Sequence, residues 1–221
     1  MIDDFKALIP ESLLSLSGAV FYSGKVAFST PSPLYIVGLN PGGSSLLQAK
    51  DTVQTHTDMV LREKPDDWSE YQDESWWEGH APGRSGMQPR VLHLLRRVEL
   101  DPQKVPASNL VFVRSSRERD IKKQSKQLAE LCWPFHRAVI GQLGVRVVLC
   151  FGKTAGTLVR TQLNASTLIQ VFRENNKRRW ESCSYKTPNG VAVVVATHPS
   201  IADWTKPETD PSQLVLDVLQ W

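Results

Sequence analysis

"LYIVGLNPGGSS", residues 34–45, is an apolar run that empties into a turn. Leu34 to Val37 contain no charged residue, and Gly38, Asn40, Pro41, Gly42 and Gly43 crowd the six positions that follow. An uninterrupted apolar run, rather than an alternating one, predicts a strand covered on both faces. Asn40 then stands at the strand's carboxyl end. It is either a turn former that bonds its own backbone or a side chain aimed at a ligand.

Three further runs of the same kind follow at 109–113 ("NLVFV"), 145–151 ("VRVVLCF") and 191–196 ("VAVVVA"). Helical patterns separate them. "MQPRVLHLLRRVEL" sets Val91, Leu94, Leu95 and Val98 on one face. "SKQLAELCWPFHRAVIGQLG" carries Leu128, Leu131, Cys132, Phe135, Val139 and Leu143, with Pro134 kinking or dividing it and Gly144 as a stop. Another helix is expected to start near Thr154, after "FGK". Strands alternating with helices imply an α/β protein with a mainly parallel sheet. The segment 46–83 shows no period, is rich in tryptophan and acid, and reads as a functional loop or lid. No repeat or linker breaks the chain, so a single domain over residues 1–221 is expected.

Composition narrows the class. Hydrophobic residues make up 41% of the 221 and charged residues 22%, as in ordinary globular proteins. The longest apolar run, "GVAVVVA", is too short to cross a bilayer. The acidic opening "MIDDFKALIPESLL" lacks the order of a signal peptide, which implies an intracellular, cytoplasmic protein with no membrane partner. Cys132, Cys150 and Cys183 fit no disulfide or cluster spacing and read as isolated core fillers. Net charge is only +3, but "RSSRERDIKKQSK" (114–126) and "NNKRRW" (175–180) are local basic clusters. Each is either a solvated face or a phosphate contact.

Open α/β sheets bind ligands at the carboxyl ends of their strands. Here those ends read "GLNPGG", "RSS", "GKTAG" and "THPSI". Asn40 and His198 offer the best site chemistry among them.

These residues resemble the motifs of the uracil-DNA glycosylase superfamily. "GLNPGGSS" is similar to the first motif in its Gly-x-Asn-Pro-Gly form, and "THPSI" to the second, which begins His-Pro-Ser. Between them, the helix and strand of "GRSGMQPRVLHLLRRVELDPQKVPASNLVFVRS" place Asn109 where the family carries a base-reading asparagine. "VRVVLCFGKTAG" resembles the family's later strand, glycine and helix start. The resemblance spans roughly residues 34–204. It implies a three-layer α/β/α fold with a central, mainly parallel four-stranded sheet. It also implies a monomeric, monofunctional DNA glycosylase that acts on DNA containing uracil or another deaminated base, with neither metal nor other cofactor.

The resemblance assigns roles residue by residue. Asn40 would orient the attacking water, and a neutral His198 would donate to the uracil O2. Asn109 would read the base edge, with Gly38, Pro41, Gly42 and Ser200 shaping the pocket. The family's stacking aromatic has no counterpart among the motifs, and Trp77, Trp76 or Tyr71 would stack on the base by location alone. Arg117, Lys122 and Lys123 belong to the basic cluster directly after the Asn109 strand, a position that suits contact with phosphates. Ile201 directly follows Ser200, where the family continues with proline and then a residue that fills the vacated duplex position. The competing expectation is a non-catalytic module of the same fold that binds nucleic acid or a free nucleobase.

Overall fold

A computed structural model describes residues 2–220. The run at 34–37 forms β1 (Leu34–Gly38), all five residues of which are buried. Alternate side chains divide between two cores. Tyr35 and Val37 join one cluster, while Leu34 and Ile36 join the other. β3 (Val147–Phe151) divides in the same way, with Val148 and Cys150 on one side and Val147, Leu149 and Phe151 on the other. Helices therefore cover both faces, which is the physical reason that these strands lack alternation.

On the first face lie α1 (Ile2–Lys6), α2 (Val53–Arg62), α4 (Glu118–Ile121), α5 (Ser125–Gln142) and α6 (Lys153–Leu163), contributing Phe5, Val53, Val60, Ile121, Cys132, Phe135, Val139 and Val159. α3 (Gln88–Arg97) and α7 (Ser212–Leu219) cover the second with Val91, Leu94, Leu95, Leu214 and Val215. The first core also holds a polar pair. His136 Nε2–H donates to the Leu110 carbonyl at 3.1 Å, so Nδ1 accepts from the Tyr35 hydroxyl at 2.7 Å.

The sheet has six strands rather than the four expected, in the order β2-β1-β3-β6-β5-β4. β2 (Ala107–Asn109), β1, β3 and β6 (Ala192–Ala196) are parallel neighbours. β4 (Thr167–Arg173) and β5 (Glu181–Lys186) form an antiparallel hairpin that extends the sheet beyond β6. The apolar signal missed this hairpin because the buried positions of β5 are Ser182 and Ser184, and β4 is an edge strand with no fully buried residue.

Other expectations are corrected by packing. The second strand ends at Asn109 instead of beginning there. Leu110, Val111 and Phe112 are buried in the first core, and the Leu110 and Val111 amides donate to Gly38 and Leu39. Pro134 lies inside an unbroken α5 on its exposed side, where water can satisfy the carbonyl one turn back. Leu131 is 42% exposed and falls off the buried face. Cys132 and Cys150 are buried fillers, but Cys183 is only partly covered on β5. The segment 46–83 is no structureless lid, since it contains α2, whose capping box pairs Thr52 with Thr55. Thr57 sits in the middle of its buried stripe and hides the helical period. Among the described residues, no helix is long and apolar enough to cross a membrane.

α6 meets β6 at unusually close range. A Cβ built on Gly156 would lie 2.4 Å and 2.5 Å from the two Val195 methyl carbons and 2.9 Å from Val195 Cβ. A β-branched side chain cannot swing away from such a contact. Gly156→Ala gains up to about 1 kcal/mol in helix propensity but should lose more to overpacking, for a net destabilisation of about 1–2 kcal/mol. Urea unfolding of the variant checks this, and equal or greater stability would refute the tight α6–β6 contact.

Candidate functional site

The chain order of the parallel strands sends β1 outward to β2 and then back across to β3. That reversal opens a crevice at the carboxyl ends of β1 and β3. A cleft of about 1230 Å³ occupies it, lined from all four parallel strand ends by Gly38 and Asn40, Asn109, Phe151 and Gly152, and Thr197 and His198. The volume exceeds the ~300–1,000 Å³ of a typical small-ligand pocket. It suits a ligand with a body beyond one flat ring.

Asn40 does part of what a turn former does, and more. Its Nδ2 donates to the Pro41 carbonyl at 2.9 Å, to Ser115 Oγ at 2.9 Å and to the Val113 carbonyl at 3.4 Å. Carbonyls only accept, so the amide's orientation is fixed with its nitrogen toward the loop. No described residue donates to Oδ1. A rigidly held acceptor is left for the cleft.

His198 is fixed just as firmly. Its Nδ1 accepts from the Ser200 backbone amide at 3.1 Å and stands 2.8 Å from Ser200 Oγ. With Nδ1 accepting, the neutral ring carries its proton on Nε2. Burial lowers the imidazole's pKa from its ordinary value, against the pull of Glu118, which keeps the neutral form dominant at neutral pH. The surrounding loop is pinned from three directions. Arg90 of α3 donates to the Pro199 carbonyl, Trp204 Nε1 to Thr197 at 3.0 Å, and Arg178 to Ile201 at 2.6 Å.

Asn109 is 7% exposed, opposite Gly38 in the ladder between β1 and β2. A Cβ on Gly38 would lie 2.2 Å from Asn109 Oδ1, so only glycine leaves the carboxamide its place. Tyr22 and Glu70 also line this part of the cleft, and the Glu70 amide bonds the Tyr22 carbonyl at 3.0 Å.

Of the residues anticipated from sequence, Gly38, Asn40, Gly42, Trp77, Asn109, Arg117, His198, Ser200 and Ile201 all line the cleft. Pro41 does not. It is buried beneath the loop, and its carbonyl serves Asn40 and the Ser115 amide. Lys122 and Lys123 are exposed but lie away from the lining. Tyr71 and Trp76 reach the cleft as well. Tyr71 is a buried core residue packed edge-on to Phe151 with ring centres 6.3 Å apart, whereas Trp77 is 55% exposed. Sequence reasoning assigned no role to Tyr22, Glu70, Lys153 or Trp180, which the fold also brings here. Among the described residues, no group of three His, Cys, Asp or Glu side chains is placed to hold a metal ion.

No protein-family profile matches the chain, and no curated protein matches it in sequence.

Glu70 is the least expected of the lining groups. Its Oε1 accepts from Trp76 Nε1 at 2.5 Å, which holds the indole at the cleft wall. Burial pushes its carboxyl up to about 7 from an ordinary 4.5. Glu74 adds to the shift, while the Trp76 bond, Lys64 and Arg114 oppose it. A carboxyl whose folded pKa is raised holds its proton more tightly when folded. Its contribution to stability is full below about 4.5 and is lost as pH rises through about 7. Glu70→Gln, which cannot ionise, should therefore gain on the wild type between about pH 4 and about pH 8, by at most ~3 kcal/mol. Urea unfolding at both pH values measures the difference. Parallel pH profiles for the two proteins would contradict a raised Glu70.

Proposed function

We propose that this protein is a monofunctional DNA glycosylase that hydrolyses the N-glycosidic bond of uracil or a related deaminated base in DNA. The observation that carries the reading is one cleft holding three oriented groups: the Asn109 carboxamide, a neutral His198 with Nε2–H as donor, and Asn40 with Oδ1 unengaged. The likeness of "GLNPGG" and "THPS" to the glycosylase motifs points the same way.

The chemistry follows from these groups. A target nucleotide is turned out of its strand, at a cost of a few kcal/mol that is lowest for mismatched or single-stranded sites. A carboxamide offers one acceptor and two donors, matching uracil N3–H and O4, whereas cytosine presents the opposite pattern. As the C1′–N1 bond breaks, its electron pair passes to the base, and the charge gathering on O2 meets His198 Nε2–H. This is oxyanion-type stabilisation. A water that donates one O–H to Asn40 Oδ1 then adds to C1′, and its proton leaves to the departing base or to solvent. An amide is too weak a base to deprotonate water in advance. Bond breaking thus runs ahead of attack, through an oxocarbenium-like sugar, to give free base and an abasic site.

The test is incubation with oligonucleotides carrying uracil, hypoxanthine or xanthine at one position, followed by alkaline cleavage of abasic sites. The wild type should leave an alkali-labile abasic site at the deaminated base. Asn40→Ala should retain oligonucleotide binding and lose ~10²-fold or more in single-turnover rate. Binding without excision by the wild type on every substrate would overturn the enzyme reading and leave a nucleic-acid-binding module of this fold.

A further inference from the structure

The hairpin that lengthens the sheet turns over residues 174–180, which contain the second basic cluster (175–180), and this tip lies beside the cleft. Its closure is well defined. The Glu174 amide donates to the Trp180 carbonyl at 2.8 Å, and Asn176 Oδ1 accepts from the amides of Arg178 and Arg179 at 2.9 Å and 3.2 Å. The buried Glu174 carboxylate gathers Asn176 Nδ2 at 2.8 Å and Arg178 at 3.1 Å on Oε2.

The three cations of the tip are not equivalent. Arg178 is fully employed within the fold. It pairs with Glu174, donates to the Ile201 carbonyl in the His198 loop, and lies 4.2 Å from the centre of the Trp180 ring. It thereby ties hairpin to loop and backs the indole. Lys177 and Arg179 are exposed, and no ion pair engages either of them among the described residues. Arg179 is held at φ +53°, a conformation that an arginine adopts only when its surroundings impose it.

Trp180 is 38% exposed and lines the cleft. Trp77 and Ile201, at 55% and 54%, join it there, and Arg117 and Lys153 supply further positive charge to the same lining. Exposed apolar surface gathered at one site marks a binding region. Indole faces beside unpaired cations suit a ligand that combines flat rings with repeated negative charge. An apolar peptide would leave the cations idle, and an anionic lipid surface, which also suits tryptophan beside cations, is planar and would not follow indoles that line a concave cleft. Duplex nucleic acid satisfies the charge but keeps its base faces stacked inside.

We propose that the β4–β5 hairpin tip, Trp180 with Lys177 and Arg179, is a grip for single-stranded nucleic acid that holds the nucleotides flanking the cleft whether or not a damaged base is present. It rests on the glycosylase reading for which strand enters the cleft, and not on excision chemistry. Trp180 would take a base on its open face, with Arg178 behind it, while Lys177 and Arg179 neutralise phosphates.

The experiment is fluorescence anisotropy with labelled, undamaged oligothymidylate of about 12 nucleotides, compared with an undamaged duplex of equal length, over a range of salt. Trp180→Ala should weaken single-strand binding by about 5- to 150-fold, with the duplex affected far less, and Trp180→Phe should restore most of the loss. Lys177→Gln with Arg179→Gln should flatten the single-strand salt dependence by about 0.7 in slope for each lost contact. Unchanged affinity in Trp180→Ala together with an unchanged slope in the double variant would overturn the grip. An equal loss on duplex, or wild-type binding to anionic phospholipid vesicles in preference to the oligonucleotide, would overturn it too. Excision is scored separately on uracil oligonucleotides. Intact single-strand grip without excision would sink the glycosylase reading alone.

Discussion

The missing side chain of Gly38 is the constraint on which the cleft depends. β1 and β2 run side by side to their carboxyl ends, and there the Asn109 carboxamide occupies the space a Cβ would need, 2.2 Å from its oxygen. Any larger residue at the end of β1 would push against a group buried within the sheet, where there is no room to yield. Because Gly38 gives way, Asn109 can turn into the crevice while its backbone keeps the ladder. Just beyond β1 the chain reaches Asn40, whose amide nitrogen is held by the loop and whose oxygen is not.

On the far side of the crevice the same economy of donors operates. His198 follows the end of β6, and its ring is held by the next turn of its own loop through Ser200. Ala202 and Trp204, both fully buried, anchor that loop in the second core. It is fixed by Arg90 from α3, by Trp204 from the second core and by Arg178 from the hairpin. Both polar groups are thus oriented before any ligand arrives, and preorganised donors and acceptors are what electrostatic stabilisation of developing charge requires. The hairpin joins this scheme through the Arg178 guanidinium and through Ser182 Oγ, which accepts from the Thr197 amide at 2.9 Å, and both link the orientation of the His198 loop to the surface that we assign to strand binding.

The parallel heart of the fold was legible because burial on both faces leaves a plain signature. Leu34–Gly38 and Ala192–Ala196 have almost no polar residue to spare. The hairpin was illegible for the opposite reason, since Ser182 and Ser184 fill its buried positions and apolar period cannot report them. α2 was obscured by one buried threonine, Thr57. Asn40 and His198 could be picked out because each stands just beyond a strand end, where chain direction alone predicts convergence, whereas Asn109, which the apolar run set at the start of a strand that in fact ends there, was reached only through the family resemblance. Glu70 could not. Its environment is assembled from Tyr22, Lys64, Glu74, Trp76 and Arg114, several of them distant in sequence, and only packing makes its carboxyl unusual. Trp180 was hidden similarly, as part of a basic run whose place beside the cleft comes from a hairpin that left no pattern.

The central claim is that Asn109 and a neutral His198 face one bound base. The most direct measurement is ¹H–¹⁵N NMR of the His198 ring and the Asn109 side-chain amide while free uracil is titrated into the protein. The account predicts an Nε2–H tautomer for His198 before ligand is added. It also predicts that this resonance and the Asn109 amide pair shift together along one saturating curve. A ring protonated on Nδ1, or a uracil titration that leaves both groups unmoved, would contradict it.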